Sequence, residues 1–271
     1  MIADPAPIQP EATVPPPSPV LPPNRFGAGK ALLSLLLLLV AQSVTGLVVL
    51  IVGTVTAMVR GEDAGAAEFI DRVMGQVTVP LLFATMIVST VVVFGVARLW
   101  AWHLVTGKGR DGLGWTTVPG LVILTWSFVG AVIAGCYLVC VQWLVPFDPT
   151  TPLGPLSSAA AAGGLSRIAW AVLALAFAPI VEEFLFRGLL LYGFTSSWGA
   201  SAAAVAVTVL FVLLHLPETI NYWPAIVAVS MLAIGTLAAR QRTGSLFPAA
   251  ALHLTYNLVL VVAVFAGMDT H

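Results

Sequence analysis

The stretch AWAVLALAFAPIVEEFLFRGLLLYGF, residues 169–194, decides the class of this fold. Glu182, Glu183 and Arg187 are its only charged residues, and it is long enough to cross a bilayer core, which takes about 20 residues of helix. The rest of the chain has the same character, since 59% of the 271 residues are hydrophobic and 8% are charged. In lipid, helices and closed barrels alone satisfy every backbone polar group. Long continuous apolar runs favour helices, so we predict an integral membrane protein of all-α class.

Six further apolar runs flank this stretch and complete a polytopic transmembrane bundle of about seven spans. We place the spans at about residues 31–59, 73–97, 118–145, 167–195, 200–217, 222–240 and 246–267. Residues 1–27 are rich in proline and poor in apolar anchors, a composition typical of disorder. The sequence therefore predicts a disordered Pro-rich tail at 1–27, three N-terminal spans within 28–150 and a core of four spans within 151–271.

The distribution of Lys and Arg predicts the orientation of the spans. With the N-terminus inside, seven basic residues fall on the inner side and three on the outer side, which agrees with the positive-inside rule. The Ala/Val-rich spans and the Pro-rich tail are typical of a bacterial protein, so we expect a multi-pass protein of the bacterial cell membrane with a cytoplasmic N-terminus. The net charge of −1 gives no basic field for nucleic acid. The lipid bilayer is the partner that composition predicts.

Ionisable residues are costly inside apolar spans, and each one marks a candidate site. They cluster late in this chain: Glu182, Glu183 and Arg187 in the fourth span, His215 in the fifth, and His253 with Asn257 in the seventh. Glu183 and Arg187 stand at i and i+4, the favourable order for an ion pair on a helix. Glu182 lies about 100° round the helix from Glu183 and has no cation of its own at i+4. We therefore expect Glu182 to be the carboxylate that is free for acid–base chemistry.

Helical rise predicts which of these residues can meet. If the fourth and fifth spans form a hairpin that turns near Ser197, Glu182 and His215 lie about 22 and 27 Å from the same end, near enough in register to meet. His253 lies only about 14 Å from the same side and needs tilt or a cavity to join them. Pro179 should deprive the carbonyl of Leu175 of its helical donor and bend the helix next to Glu182.

These motifs resemble the signature of the CAAX prenyl endopeptidase and bacteriocin-processing family, known as the CPBP or ABI family. The pattern is Glu-Glu-x-x-x-Arg, then Phe-x-x-x-His, then His-x-x-x-Asn, and its members here are Glu182, Glu183, Arg187, Phe211, His215, His253 and Asn257. The resemblance covers about residues 165–265 and implies an intramembrane endopeptidase that acts on a membrane-embedded or membrane-associated peptide, which in eukaryotic relatives is lipidated. It implies the following roles. Glu182 activates water and His215 holds that water or a metal, while His253 and Asn257 bind the oxyanion and Glu183, Arg187 and Phe211 support the site.

The resemblance leaves the cofactor open between zinc or another divalent metal and none. Family members are commonly labelled metalloproteases, and Glu182, His215 and His253 would supply the three protein ligands that a catalytic zinc needs. Glu183 would then have to serve as the base, which conflicts with its pairing to Arg187. We therefore favour a glutamate-driven mechanism without tightly bound zinc.

Two functions of other classes use the same residues. A non-catalytic membrane binding or immunity protein could employ the polar cluster as a contact site, and a proton-coupled transporter could employ it as a relay. The inverted repeats of many transporters are not visible in this sequence. We favour the peptidase, because three polar motifs on separate spans are harder to explain as isolated structural contacts.

Overall fold

The computed structural model describes residues 26–59, 66–107, 112–146, 148 and 155–268, and within these ranges it is helical without strands. Seven of the described helices are long and apolar enough to cross a membrane, which confirms the predicted all-α bundle. The helices are α1 (Ala28–Val59), α2 (Ala66–Val96), α3 (Gly120–Val139), the short α4 (Pro155–Ala161), α5 (Gly164–Trp198), α6 (Ala200–Thr219), α7 (Trp223–Thr243) and α8 (Phe247–Phe265). The sequence did not predict α4, which is too short to cross a bilayer.

The N-terminal end of α1 is fastened to the C-terminal end of α5. Residues 1–25 of the predicted tail lie outside the described residues, whereas Phe26 and Gly27 are part of the packed structure. Phe26 is fully buried with its ring 6.4 Å from that of Tyr192, and the amide of Ala28 donates to Ser197 Oγ at 2.9 Å. Phe26 and Gly27, which the sequence analysis assigned to the tail, therefore belong to the packed structure.

Helix α5 is the central element, and each part of it packs on a different neighbour. Its N-terminal turns contact α2, its middle contacts α8, and its last turns contact α1 and α6. Large apolar side chains on the outer faces of the bundle are exposed. That is the arrangement expected of helices whose solvent is lipid.

Helices α3 and α8 form the most extensive helix pair of the described structure. A glycine permits this close approach, because a Cβ at Gly130 would lie 2.2 Å from the carbonyl oxygen of Leu252. Leu252 immediately precedes His253. The third predicted span therefore packs against α8 next to His253, a candidate site residue.

The segment between α2 and α3 is bound to the turn between α7 and α8. The amide of Leu246 donates to the carbonyl of Gly114 at 2.7 Å, and Ser245 Oγ donates to the carbonyl of Thr116. Arg240 Nη2 donates to the carbonyl of Gly112 at 2.8 Å. This end of the bundle is thus held by hydrogen bonds that join the N-terminal spans to the last two helices.

Candidate active site

Helix α5 departs from α-helical geometry on both sides of the acidic pair. Residues Leu173–Phe177 and Phe184–Leu190 are π-helical, and Ala178–Glu183 between them is α-helical. Isolated π segments within α-helices occur frequently at functional sites, because they widen one turn and redirect the side chains around it. The two π segments place Glu182 and Glu183 at the end of a single α-helical stretch.

The first π segment determines which main-chain carbonyl lacks a hydrogen-bond donor because of Pro179. The amide of Ala178 donates to the carbonyl of Leu173, which is an i, i+5 bond. The next bond in that register would join Pro179 to Ala174, but proline has no N–H. Asn257 of α8 supplies the donor instead, with Nδ2 2.8 Å from the Ala174 oxygen. In this register the carbonyl of Ala174 loses its main-chain donor, while the loss expected at Leu175 stays a prediction.

Glu183, Arg187 and His253 form a buried cluster. The Glu183 side chain is 1% exposed, and its Oε2 lies 3.3 Å from Arg187 Nε, so the predicted ion pair is present. Its Oε1 lies 2.9 Å from Nδ1 of His253. An ionised carboxylate accepts only, so Nδ1 of His253 carries the hydrogen and donates it. Nε2 is the remaining polar atom of the imidazole.

Glu182 and His215 form a second, more accessible pair. Glu182 Oε2 lies 3.7 Å from His215 Nε2, with the two side chains 29% and 26% exposed. His215 Nδ1 lies 2.7 Å from the carbonyl oxygen of Phe211, to which it must donate. When the ring is neutral, it presents a lone pair on Nε2 towards the carboxylate. Two acceptors form no hydrogen bond with each other, and the separation of 3.7 Å is also longer than a hydrogen bond.

Phe211 separates the two pairs and contacts both. Its fully buried ring stacks on His215 at 4.3 Å and meets His253 edge-on at 6.1 Å, measured between ring centroids. The guanidinium carbon of Arg187 lies 4.4 Å from the same centroid, in the range of a cation–π contact. A desolvated contact of this kind is worth about 2 kcal/mol. Phe211 thus fixes both imidazoles and covers the buried cation.

The structure places the predicted residues in two neighbouring groups. Glu182 meets His215, as the hairpin register predicts. His253 reaches Glu183, a contact that the sequence analysis missed because it assigned Glu183 to Arg187 alone. Asn257 lies at the edge of the site and bonds to Ala174. A mainly apolar cavity of about 400 Å³ is lined by α5, α8 and the start of α3, with Pro179, Leu254 and Ile123 among its lining residues.

The sequence that carries this site matches a known protein family. Residues 164–259 match the family model described as type II CAAX prenyl endopeptidase Rce1-like. This segment is similar to that family. No curated protein and no solved structure matches the chain. The match begins at the first residue of α5, ends within α8 and includes every residue of the three motifs, so the suspected resemblance is confirmed. An Rce1-like domain implies a protease that acts at the membrane on a membrane-associated peptide.

Among the described residues, no group of three or more His, Cys, Asp or Glu side chains is arranged to hold a metal ion. Nδ1 of His215 and Nδ1 of His253 each lie within hydrogen-bond distance of a protein oxygen, so Nε2 is the atom through which either ring would bind a metal. The chemistry proposed below uses the side chains alone.

Proposed function

We propose that this protein is an intramembrane endopeptidase in which Glu182 activates a water molecule for attack on a peptide bond. The observation that carries the proposal is the partly exposed pair of Glu182 and His215, whose facing atoms lie 3.7 Å apart. This pair lies next to the buried cluster of Glu183, Arg187 and His253. Polar atoms at this separation are commonly bridged by water. A glutamate and a neutral imidazole acting on one water molecule are suited to hydrolysis.

The first step uses both members of this pair. One water hydrogen donates to Nε2 of His215, which orients the molecule. Glu182 removes the other as a proton while the water oxygen bonds to the carbonyl carbon of the substrate. Glu182 then transfers that proton to the amide nitrogen as the carbon–nitrogen bond breaks. The products are a carboxylic acid and an amine, and Glu182 regains its charge.

The oxyanion formed in the first step needs donors, and we assign them to His253 and Asn257. Nδ1–H of His253 is committed to Glu183, so Nε2 donates only from the doubly protonated ring. The charges of Glu182 and Glu183 balance that imidazolium and Arg187, which keeps the cluster neutral overall. Asn257 uses one N–H for Ala174 and retains the second for the oxyanion.

The substrate class follows from the surroundings of the site. The apolar cavity at α5, α8 and the start of α3, which reaches Pro179 and Ile180 in the turn before Glu182, suits the apolar part of a membrane-embedded or lipidated peptide. We further propose that the protein lies in a bacterial plasma membrane with its N-terminus in the cytoplasm, since seven basic residues against three favour that orientation. Reporter fusions to the loops that flank α3 test this orientation.

The experiment that tests the proposal is cleavage of membrane-spanning and lipidated peptides by the purified full chain in liposomes. Glu182→Gln keeps the shape of the side chain and removes the base, so we expect at least about a 10²-fold loss of rate. His215→Leu should lower the rate by about ten- to a hundredfold, because the water loses its orienting acceptor.

A matched control separates loss of chemistry from loss of structure. Glu218 lies on the same helix as His215, but its carboxylate accepts from the amides of Leu156 and Ser157 and lies outside the catalytic pair. Glu218→Gln should retain cleavage. Equal cleavage by wild type and Glu182→Gln would refute the assignment of the base. A strong chelator that abolishes cleavage, with rescue by added metal, would refute the metal-free chemistry proposed above.

A further inference from the structure

Helix α7 forms two hydrogen bonds with Arg187. The guanidinium Nη2 of Arg187 donates to the carbonyl of Ala233 at 3.0 Å, and Nε of Arg240 donates to the main-chain carbonyl of Arg187 at 3.2 Å. Ala233 and Arg240 are seven residues apart, which puts them on one face of α7 at a separation of about 10 Å. One contact therefore fixes the end of the Arg187 side chain, and the other fixes its backbone.

Arg240 is held in turn by the segment that precedes α3. Its Nη2 donates to the carbonyl of Gly112 at 2.8 Å, and the side chain is buried. A Cβ on Gly114 would lie 2.6 Å from the guanidinium carbon of Arg240, and Gly114 has a φ of +82°. Only glycine permits both this contact and this backbone conformation. The guanidinium thus joins a segment outside the Rce1-like match to the centre of α5.

We infer that Arg240 is a positioning residue for the candidate active site, acting through Arg187 on Glu183 and His253. Arg187 lies in the second π segment, and its Nε lies 3.3 Å from Glu183 Oε2. Glu183 Oε1 in turn holds Nδ1 of His253 at 2.9 Å. A shift of the Arg187 backbone is therefore transmitted to the imidazole that we assign to the oxyanion. The kinetic part of this inference rests on the proposed function, whereas its structural part does not.

Two independent changes remove the contact between Arg240 and Arg187. Arg240→Lys retains the charge but replaces the planar guanidinium with a single ammonium group. The ammonium group cannot donate to the carbonyls of both Arg187 and Gly112 in the same geometry. Gly114→Ala leaves Arg240 intact and displaces its guanidinium. If Arg240 acts by position, the two variants should have the same effect.

Matched controls exist for both variants. Arg242 is an arginine in the same last turn of α7 whose side chain is not buried, so Arg242→Lys tests the loss of an arginine at this end of the helix. Gly199 has a φ of +84°, but no heavy atom lies within 4 Å of the position that a Cβ would take there. Gly199→Ala therefore imposes the same backbone strain as Gly114→Ala without displacing a side chain.

The first measurement is the nuclear magnetic resonance signal of the hydrogen-bonded Nδ1–H of His253 in the full chain. The chain has four histidines, and the signal is assigned by its disappearance in His253→Gln. Arg240→Lys and Gly114→Ala should shift or broaden this signal, while both control variants leave it unchanged. This readout does not require any substrate.

The second measurement is peptide cleavage, with kcat and KM determined separately and the folded state checked by thermal unfolding. Both test variants should lower kcat by about ten- to a hundredfold with KM changed less than about twofold, since a displacement of about 1 Å at a catalytic group has effects of that size. A resonance that stays unchanged in both variants overturns the inference, whether or not the protein cleaves peptides. A resonance that moves in the test variants alone, in a protein that cleaves nothing, supports the positioning role and refutes the proposed function instead.

Discussion

The buried ion pair of Glu183 and Arg187 allows a double-variant cycle with a large expected coupling. Both side chains are 1% exposed, and Glu183→Gln leaves the guanidinium without its counter-charge. Removing one partner of a buried pair costs about 3–5 kcal/mol, because it leaves an uncompensated buried charge. The variant Arg187→Met should be similarly destabilising, and the double variant should be little worse than either single one. The coupling energy, which is the sum of the two single effects less the effect of the double variant, should therefore be about 3 kcal/mol.

Thermal unfolding in detergent micelles, followed by the fluorescence of the eight tryptophans, measures these differences. At about 2–4 °C per kcal/mol, each single variant should lower Tm by about 6–20 °C. The isosteric control is Glu218→Gln, which removes a half-buried carboxylate from backbone amides and should cost about 1–2 kcal/mol. Small, additive effects of the two single variants would refute the reasoning, because the Arg187 charge would then be compensated by groups other than Glu183.

Three further predictions follow from contacts around the site. Asn257→Ala leaves the Ala174 carbonyl without its donor and should cost about 1–3 kcal/mol of stability, measured by thermal unfolding, in addition to a loss of kcat; unchanged stability would show that the contact is replaceable. Gly130→Ala forces α3 away from α8 and should lower stability by about 1–3 kcal/mol. Gly135→Ala lies on the same helix with open space around it and should be neutral in the same assay, so equal effects of the two variants would contradict the close packing of α3 on α8. Phe211→Leu removes the ring from the Arg187 guanidinium and should cost about 2 kcal/mol or more with a drop in kcat, and wild-type kinetics in this variant would contradict its role in fixing the imidazoles.

The fold could be predicted from the sequence because hydropathy and length alone define spans in lipid. The register of the hairpin between α5 and α6 could also be predicted, since a rise per residue and one turn at Gly199 suffice to bring Glu182 to His215. The i, i+4 ion pair of Glu183 and Arg187 depends only on helical geometry, and it is present as expected.

The remaining features depend on departures from regular helices or on contacts distant in sequence. The π register of α5, in which the carbonyl of Ala174 loses its main-chain donor, has no signature in residue spacing. The bond between His253 and Glu183 joins residues that are 70 positions apart in the sequence, so helical rise from a single turn does not predict it. Arg240 was interpreted only as an orienting charge near a loop, because its partners are backbone carbonyls, which every residue has and no sequence pattern marks.

The two wide turns of α5 have a consequence for how this helix tolerates length changes. A π segment holds one residue more than an α-helix needs for the same turn, so deleting one residue from it restores regular winding and leaves the two flanking halves of α5 in nearly the same relative orientation. A deletion within Leu173–Phe177 would therefore keep the half that contacts α2 aligned with the half that carries Glu182, whereas a deletion from a regular α-helix would rotate the two halves by about 100°. Chimeras and sequence alignments that treat α5 as an ordinary helix will therefore pair the wrong faces, and two single-residue gaps are the natural correction.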